Sequence, residues 1–421
     1  MTQLHKKFTD EAVKDLLEKY MNKVMEINVV IGILGIKKRR FFELLKEYKT
    51  DPKIFSVQYK RTEKTRIIDQ NIEKNIIKEL KTEKEKIVED KDVKTNTYNY
   101  SYLKDLIYRK YRQKVSVPTI IDRAKKNDCY IPKSKYKKVH DREVITNYAG
   151  ELIQHDTSFH KWAPYASDKW YLITSLDDYS RLILYAELVE KESSWAHIQA
   201  LQEVFLKFGI PAKYYVDSHS IFRFVQGRDS IYRDHKKFTD DIITQWKKVL
   251  YDCNVEVIYA LSPQAKGKAE RSYGWIQDRT VRTCVRDNVK TISSTREVLK
   301  YELNKYNNIH IHSTTGEIPI VRFENAIKEN KTYFRDFTLK PPFEDIKDIF
   351  CLRMERVVNS YRRISINNIE LSISGAPIGE KVELRIFLND KTKMAEIRMW
   401  FKNKLIGVNN AKISDLNLVH F

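Results

Sequence analysis

The chain has 421 residues, 32% of them charged, a net charge of +20, and four cysteines that are widely separated in the sequence. This length predicts two to four domains, while the lack of a long apolar run, a signal peptide or paired cysteines excludes membrane-spanning, secreted, disulfide-rich and zinc-finger classes and predicts a soluble cytoplasmic protein. The positive charge predicts a polyanionic partner, and it is concentrated in residues 1–150, which hold 36 Lys+Arg against 22 Asp+Glu.

Residues 1–60 have the pattern of a helix-turn-helix domain. A Thr-capped helix over residues 9–20 is followed by an apolar run that stops at Gly35 and then by a basic helix from Ile36 onward. The first turn of this last helix supplies the predicted DNA contacts, Lys37, Lys38, Arg39 and Arg40. A small helical bundle with a solvated basic face is the alternative.

Residues 61–130 have the pattern of a second helix-turn-helix-like domain. Helical spacing recurs around residues 72–80, 101–111 and 117–126, and Pro118 suits a first helical position. Lys125 and Lys126, at the end of the last helix, are predicted to bind DNA. Residues 131–147 read as a basic linker that follows phosphates, or as a plain solvated linker.

Residues 148–290 predict an α/β core. Apolar runs at residues 151–158, 170–176 and 182–188 predict three strands, and a helix then ends at Gly209-Ile-Pro. A short strand ends at Val216, a helix is predicted for Thr239–Tyr251, and a last strand precedes a helix beginning at Lys268. This succession is the element order of a ribonuclease-H-like core.

Three acidic residues stand where such a core would bring them together. Asp156 and Asp217 each come at the end of an apolar run, and Glu270 follows a loop with Pro and Gly into a helix. Two strand ends and one helix start can converge on one point. Carboxylate oxygens with room for water and phosphate are what Mg²⁺ prefers. The pattern therefore predicts a site for metal-dependent phosphoryl transfer.

Several short motifs in residues 150–325 resemble one family. They are Gln154-His-Asp-Thr-Ser-Phe-His-Lys-Trp, Leu176-Asp-Asp-Tyr-Ser-Arg, Phe208-Gly-Ile-Pro, Tyr215-Val-Asp-Ser-His-Ser-Ile-Phe, Ser262-Pro-Gln-Ala-Lys-Gly-Lys-Ala-Glu-Arg and Gln277-Asp-Arg. Together they resemble the catalytic domain of the DDE transposase and retroviral-integrase superfamily, and more narrowly the bacterial insertion-sequence transposases of the ISNCY type.

The resemblance implies a function and a set of site residues. Asp156, Asp217 and Glu270 would be the catalytic residues and the ligands of two Mg²⁺ ions, for which Mn²⁺ would substitute. The protein would bind the double-stranded DNA of element ends, cleave it at the 3′ end and transfer the strand to target DNA. It would act as a homodimer or higher oligomer, associated with the bacterial nucleoid.

Two positions depart from the family pattern. A spacing of 35 residues before the Glu is frequent in retroviral-type members and would select Asp234, but Asp234 lies in a polar basic segment with no strand before it. We therefore predict Asp217 as the second ligand, with a basic insertion near residues 222–237. Gln277 occupies a place where many relatives have Lys or Arg, and Arg271 or Arg279 would supply that charge.

The loop before the last helix holds further cations. Lys266, Lys268 and Arg271 are predicted to hold phosphate near the metals, with a solvated loop as the alternative, and Arg279 is added as a DNA contact. His155 and His160 flank Asp156, and we predict packing or hydrogen-bonding roles for them.

The C-terminal part changes pattern again. Residues 291–345 predict a helical connector, and residues 346–421 contain five or six short alternating runs that predict a small all-β barrel. Two other functions stay open from the sequence, a catalytically inactive DNA-binding regulator and a structure-specific nuclease. The presence of all three carboxylates argues against the inactive regulator, and the tandem N-terminal units argue against the nuclease.

Overall fold

The computed structural model describes residues 4–58, 68–93, 95–132, 145–217, 219–222, 243–260, 267–367 and 369–416, and for residues 267–271 the backbone alone. The chain forms two compact units, Met1–Lys74 and Asn75–Phe421. Within these ranges, no helix combines the length and the apolar character needed to cross a lipid bilayer.

The first unit contains three helices in the order that the sequence predicts. They are α1 (Asp10–Met21), α2 (Ile27–Leu34) and α3 (Lys38–Thr50). Thr9 caps α1 by accepting a hydrogen bond from the Ala12 amide, and Gly35 ends α2 in the left-handed conformation with φ of 62°. Apolar side chains at helical spacing form the core, and Phe41 is its most deeply buried aromatic residue, with no exposed surface.

Three further helices follow, the first of which begins before the boundary at Asn75, and they precede the α/β core of the second unit. These are α4 (Gln70–Glu83), α5 (Tyr100–Tyr111) and α6 (Val117–Lys126), with a π-helical turn over Lys84–Val88. Ser116 caps α6 and Pro118 lies in its first turn, as predicted. The Tyr102 hydroxyl lies 3.0 Å from the Thr283 hydroxyl, which joins α5 to a helix of the core.

A five-stranded mixed sheet forms the centre of this unit. Its strands are β1 (Ile153–His160), β2 (Trp170–Asp177), β3 (Ile183–Val189), β4 (Lys213–Val216) and β5 (Glu256–Tyr259). The order is β3-β2-β1-β4-β5, with β2 antiparallel to its neighbours and β4 parallel to β1 and β5. The predicted succession of strands and helices is confirmed in this part of the chain.

Helices cover both faces of the sheet. One face packs on α7 (Ser194–Phe208) and α8 (Gln245–Asp252). The other packs on α9 (Gly267–Arg286) and α10 (Ile292–Asn308), and α11 (Pro319–Lys328) follows α10. Helix α8 begins later than the predicted Thr239, because Thr244 accepts the capping hydrogen bond from the Lys247 amide.

The C-terminal part is rich in β-structure. Its strands are β6 (Leu352–Val357), β7 (Arg363–Ile366), β8 (Ile369–Ser372), β9 (Lys381–Asn389), β10 (Met394–Phe401) and β11 (Lys404–Lys412), followed by α12 (Ile413–Leu416). Four of them form an antiparallel sheet in the order β11-β10-β9-β6, and β7 pairs with β8. The Gln245 side chain hydrogen-bonds both backbone groups of Arg353, at 2.7 Å each, and so holds β6 to α8.

Candidate active site

Two of the three predicted carboxylates lie side by side on adjacent strands, Asp217 directly after β4 and Asp156 within β1, which continues to His160 beyond the strand end that the sequence predicts. β1 and β4 are parallel, with Ile153 opposite Tyr214 and Gln154 opposite Tyr215. Continuing this register by two residues sets Asp156 opposite Asp217, on strands about 4.8 Å apart. Both aspartates are half-buried and line one cleft. The sheet topology therefore brings together two residues that are far apart in the sequence.

Helix α9 brings the third position to the same place. Thr174 is the cross-strand partner of Asp156, and its hydroxyl donates a hydrogen bond of 2.5 Å to the hydroxyl of Tyr273 on α9. Burial first, and then the charges of Asp156 and Asp217, raise the pKa of Tyr273 well above its ordinary value. Glu270 precedes Tyr273 by three residues in α9 and so shares its face of the helix.

The two described carboxylates fit a hard divalent cation. Asp156 and Asp217 supply oxygen ligands only, and their partial exposure leaves room for water and for phosphate oxygens. No group of three His, Cys, Asp or Glu residues able to hold a metal ion is present among the side chains that the structure describes, which do not include that of Glu270.

A chain of buried hydrogen bonds leads into the cleft from behind β1. The Nδ1 atom of His155 lies 2.9 Å from the Ser175 hydroxyl, and its Nε2 atom lies 2.8 Å from Nδ1 of His197. Nε2 of His197 lies 3.0 Å from a carboxylate oxygen of Glu192, which lines the same cleft as Asp156. Both histidines are fully buried. The packing and hydrogen-bonding role predicted for His155 is thus what the structure describes.

One arrangement of protons satisfies this whole chain. Burial is the largest influence on the pKa of Glu192 and favours a raised value, but the hydrogen bonds from His197 and Thr157 together with the nearby histidines outweigh it and the pKa is lowered, so the carboxylate is ionised and only accepts. Burial lowers the pKa of His197, which is therefore neutral and donates from Nε2. His197 Nδ1 must then accept from Nε2 of His155, whose Nδ1 accepts from Ser175. The chain holds Glu192 in a fixed orientation at the cleft.

We expect His197→Phe to lower the stability of the second unit. The substitution keeps a buried ring of similar size but removes the hydrogen bonds of His197 to Glu192 and to His155, which costs about 1–3 kcal/mol. The measurement is urea unfolding followed by tryptophan fluorescence, because all six tryptophans lie beyond residue 160. His310→Phe is the control, since the ring of His310 makes aromatic contacts with Trp275 and Tyr306. Equal stability of the two variants would contradict the expectation.

The aspartates after β2 belong to the turn that the sequence predicts. Asp177 accepts hydrogen bonds from the Gly150 amide at 2.9 Å and from the Ser180 hydroxyl at 2.5 Å. Asp178 accepts from the Gln154 side chain at 2.6 Å. Burial raises the pKa of Asp177 to about 6. These carboxylates are fully buried and fasten the β2–β3 connection to the start of β1.

The predicted DNA-contacting cations fall into three groups. Those with exposed side chains are Lys37, Lys38, Arg39 and Arg40 at the start of α3, and Lys125 and Lys126 at the end of α6. The structure does not describe Lys266 or the side chains of Lys268 and Arg271. The rejected ligand candidate Asp234 and nearly all of the predicted insertion also lie outside the described residues. The remaining one, Arg279, is buried.

Arg279 does not have the surroundings of a DNA contact. Its side chain is 2% exposed and forms an ion pair of 2.9 Å with Asp105 of α5. It also donates to the Ser101 hydroxyl at 2.9 Å, and its guanidinium lies 4.3 Å from the centre of the Trp275 ring. A contact with phosphate needs an accessible side chain, whereas α5 covers this side of α9. Arg279 therefore stabilises the packing of α5 on α9 in place of the predicted contact with phosphate.

Sequence reasoning missed a cation beside Gln277. Gln277 lines a second cleft together with His160 and Lys161, which follow directly after β1. Lys161 is half-buried there. The motif Phe159-His-Lys-Trp contained the signal, because Lys161 directly follows β1, the strand that bears Asp156. Lys161 is a candidate for the basic role that Gln277 cannot fill.

The strand order and the paired aspartates define an α/β core of the ribonuclease-H-like type with an acidic site where β4 ends beside β1. No protein-family model matches the chain. It is similar to y4bF of Sinorhizobium fredii, a protein named as a transposase, with 24% identity over 62% of this chain and 53% of the relative. It is also similar to the transposase of insertion sequence IS1202 from Streptococcus pneumoniae, with 29% identity over 41% of this chain and 35% of the relative. The resemblance to insertion-sequence transposases expected from the motifs is thus confirmed.

The matches leave part of each relative uncovered. The chain spans about half the length of the first relative and about a third of the second. Among solved structures, the HTLV-2 integrase catalytic core domain in complex with magnesium aligns at 15% identity over 43% of this chain and 99% of that chain, with a TM-score of 0.32. An intasome of simian T-cell lymphotropic virus aligns over 74% of this chain and 99% of that chain, at 11% identity and with a TM-score of 0.34. Scores this low support no structural argument, and the fold follows from the strand order of the chain itself.

Proposed function

We propose that the protein is a DDE transposase that binds insertion-sequence end DNA and catalyses metal-dependent 3′-end cleavage and strand transfer. The observation that supports this most directly is the convergence of Asp156, Asp217 and the first turn of α9, which bears Glu270. The similarity to two proteins named as transposases agrees with it. No observation on the described residues favours a regulator without catalysis or a nuclease that cuts without joining.

The three carboxylates are the proposed metal ligands. Asp156 lies between the other two positions, because β1 is hydrogen-bonded to β4 on one side and Thr174 connects β2 to α9 on the other. Asp156 would therefore contribute to holding both ions, and Asp217 and Glu270 would each contribute to holding one. Two Mg²⁺ ions, for which Mn²⁺ would substitute, would neutralise charge at the phosphate and lower the pKa of the attacking water or hydroxyl.

The reaction proposed has two displacements at phosphorus. Water first attacks the phosphodiester at the element end, the bond to the 3′ oxygen breaks, and a free 3′-hydroxyl results. That hydroxyl then attacks a phosphodiester of target DNA, so one phosphodiester forms as one breaks and no nucleotide triphosphate is needed. The chain contributes by holding carboxylates on rigid strand ends and a helix, which fixes the position of the phosphate.

DNA recognition is proposed for the parts that flank the core. A helix-turn-helix domain would span residues 1–60, and a helix-turn-helix-like domain would span residues 61–130. A basic linker would follow at residues 131–147. Beyond the core, a helical connector at residues 291–345 would lead to a small barrel at residues 346–421. The exposed cations of α3 and the end of α6 support contacts to DNA. Lys161, Lys266, Lys268 and Arg271 would meet phosphates near the core, which spans 148–290.

The proposed setting is an assembly on DNA in the bacterial cytoplasm, at the nucleoid. Joining two element ends in one event requires two active sites, so a homodimer or a higher oligomer is proposed. The net charge of +20 supports association with DNA at low and moderate salt. Binding should weaken steeply as salt rises, because each neutralised phosphate releases a counterion.

The experiment uses the full chain, Mg²⁺ and DNA that carries the inverted repeats flanking its gene. We expect shortened 3′ ends and longer joined products on a sequencing gel, both abolished by EDTA and restored by added Mg²⁺. Mn²⁺ should also restore them. Cleavage without joining would support the structure-specific nuclease, and salt-sensitive binding without any product would support the regulator.

A further inference from the structure

An exposed aromatic pair borders the cleft that contains the two aspartates. Phe159 near the end of β1 and Tyr171 at the start of β2 are cross-strand partners in the sheet register. Their ring centres are 4.3 Å apart and their planes are inclined by 26°, which is a stacked arrangement. Phe159 is 53% exposed, an unusual degree of exposure for a large aromatic residue on a strand of a central sheet.

The pair and the carboxylates belong to one cleft. Asp156, Asp217 and Glu192 line it together with Phe159 and Tyr171. Phe159 follows Asp156 by three residues of strand, a distance of about 10 Å along β1, so the two side chains lie on opposite faces of the strand and meet the cleft from its two sides. Neighbouring bases of one DNA strand are about 3.4 Å apart along the helix axis. A base on the Phe159 ring would therefore lie within a few nucleotides of a phosphate held at the aspartates.

A cation accompanies the aromatic surface. The ammonium group of Lys169, an exposed residue just before β2, lies 5.6 Å from the centre of the Phe159 ring. An exposed aromatic face beside a lysine is the combination that binds single-stranded nucleic acid, since the ring stacks on a base and the cation meets the backbone. A cross-strand pair that only stabilises the sheet needs neither the open face nor the cation.

We propose that Phe159, Tyr171 and Lys169 form a stacking site for an unpaired nucleobase of the DNA strand that enters the cleft. This inference rests on the proposed function, because it takes the strand at the aspartates to be DNA. A base can reach the Phe159 face only after it has left its duplex, since paired bases cover one another's faces. The site favours bases of any sequence, because every base has a π face and the ring offers no hydrogen bond.

The test compares single-stranded and duplex probes. The single-stranded probe is a short oligothymidylate with one 2-aminopurine, and the duplex probe is the same strand paired with its complement. Binding of each to the full chain is measured without divalent metal, by 2-aminopurine fluorescence and by anisotropy of an end label. We expect Phe159→Ala to bind the single strand about tenfold more weakly, the value of one base–aromatic stack, and to bind the duplex as the unaltered protein does.

Two further variants sharpen the result. Phe159→Trp retains a stacking ring and should restore single-strand binding and the change in 2-aminopurine fluorescence. Tyr251→Ala removes an aromatic residue that is 79% exposed on α8, and it should leave both affinities unchanged. Equal single-strand affinity of Phe159→Ala and the unaltered protein would overturn the proposal. So would a parallel loss of duplex binding, which would mean a general effect on charge or folding.

Failure of this inference can be told apart from failure of the proposed function. Mg²⁺-dependent cleavage and joining by the unaltered protein are measured separately with inverted-repeat DNA. If products form while Phe159→Ala binds the single strand normally, the stacking site is wrong and the transposase stands. If no products form while Phe159→Ala loses single-strand binding and Phe159→Trp regains it, the stacking site stands and the transposase is wrong.

Discussion

Replacing Asp217 with asparagine should abolish Mg²⁺-dependent cleavage and joining, with a loss of about 10³-fold or more. The substitution removes one anionic ligand, and the stabilisation supplied by a bound metal at a phosphoryl group amounts to several kcal/mol, at about 1.4 kcal/mol for each factor of ten. The fold should survive. Asp217 is half-buried at the end of β4, and the amide oxygen of asparagine can still accept the hydrogen bond that the His219 amide makes at 3.0 Å.

Asp234→Asn is the matched control for this prediction. Asp234 is the alternative that the retroviral-type spacing selects, and it lies outside the described residues. We expect its substitution to leave both products and at most to weaken DNA binding. Asp156→Asn should behave like Asp217→Asn. Gel-shift binding of the same DNA, measured in parallel, separates lost chemistry from lost binding. Activity in Asp217→Asn together with inactivity in Asp234→Asn would mean that the wrong aspartate was chosen.

The choice of Asp217 illustrates what local sequence can determine. An apolar Tyr-Tyr-Val run after a helix that ends at Gly209-Ile-Pro predicts a short buried strand, and β4 (Lys213–Val216) is that strand. A residue that directly follows a buried strand must emerge at the sheet edge, so its position is set by the elements around it. Family spacing is weaker evidence here, because an insertion between elements changes the count without moving the strand ends.

The buried histidine chain illustrates what local sequence cannot determine. His155 and His197 are separated by 42 residues, and the sequence around either one does not predict its contact with the other. Their contact depends on how α7 packs across β1, which is decided by many apolar side chains at once. The same limitation applies to Arg279. Its charge predicted a surface position, and only the packing of α5 on α9 determines that it is buried.

The spacing of the arginines on α9 indicates which helix packs against it. Arg279, Arg282 and Arg286 recur at helical spacing, and Glu79 and Glu83 recur at a spacing of four on α4. Such matched stripes of opposite charge indicate two helices that face each other. In the structure Arg286 pairs with Glu79 and with Glu83, at 2.6 Å each, and Arg282 pairs with Glu83. All of these side chains are almost completely buried.

Arg282→Met should destabilise the second unit by about 3 kcal/mol, at the lower end of the usual cost of breaking a buried ion pair. Methionine keeps the length of the buried side chain, but Glu83 then has an unsatisfied buried charge on one oxygen while Arg286 still pairs with the other. The measurement is the free energy of unfolding in urea, followed by tryptophan fluorescence. The control is Arg363→Met, which breaks an exposed 2.7 Å pair with Glu370 and should cost less than about 1 kcal/mol.

The double variant Arg282→Met/Glu83→Leu distinguishes the two physical causes of such a loss. If the cost comes from an unpaired buried charge, removing Glu83 as well should recover much of the stability, although Arg286 then keeps only Glu79 as an acidic partner. If the cost comes from lost packing, the double variant should be less stable than either single one. The second outcome would mean that side-chain packing, and not the unpaired charge of Glu83, determines the loss where α4 meets α9, the helix whose first turn bears Glu270.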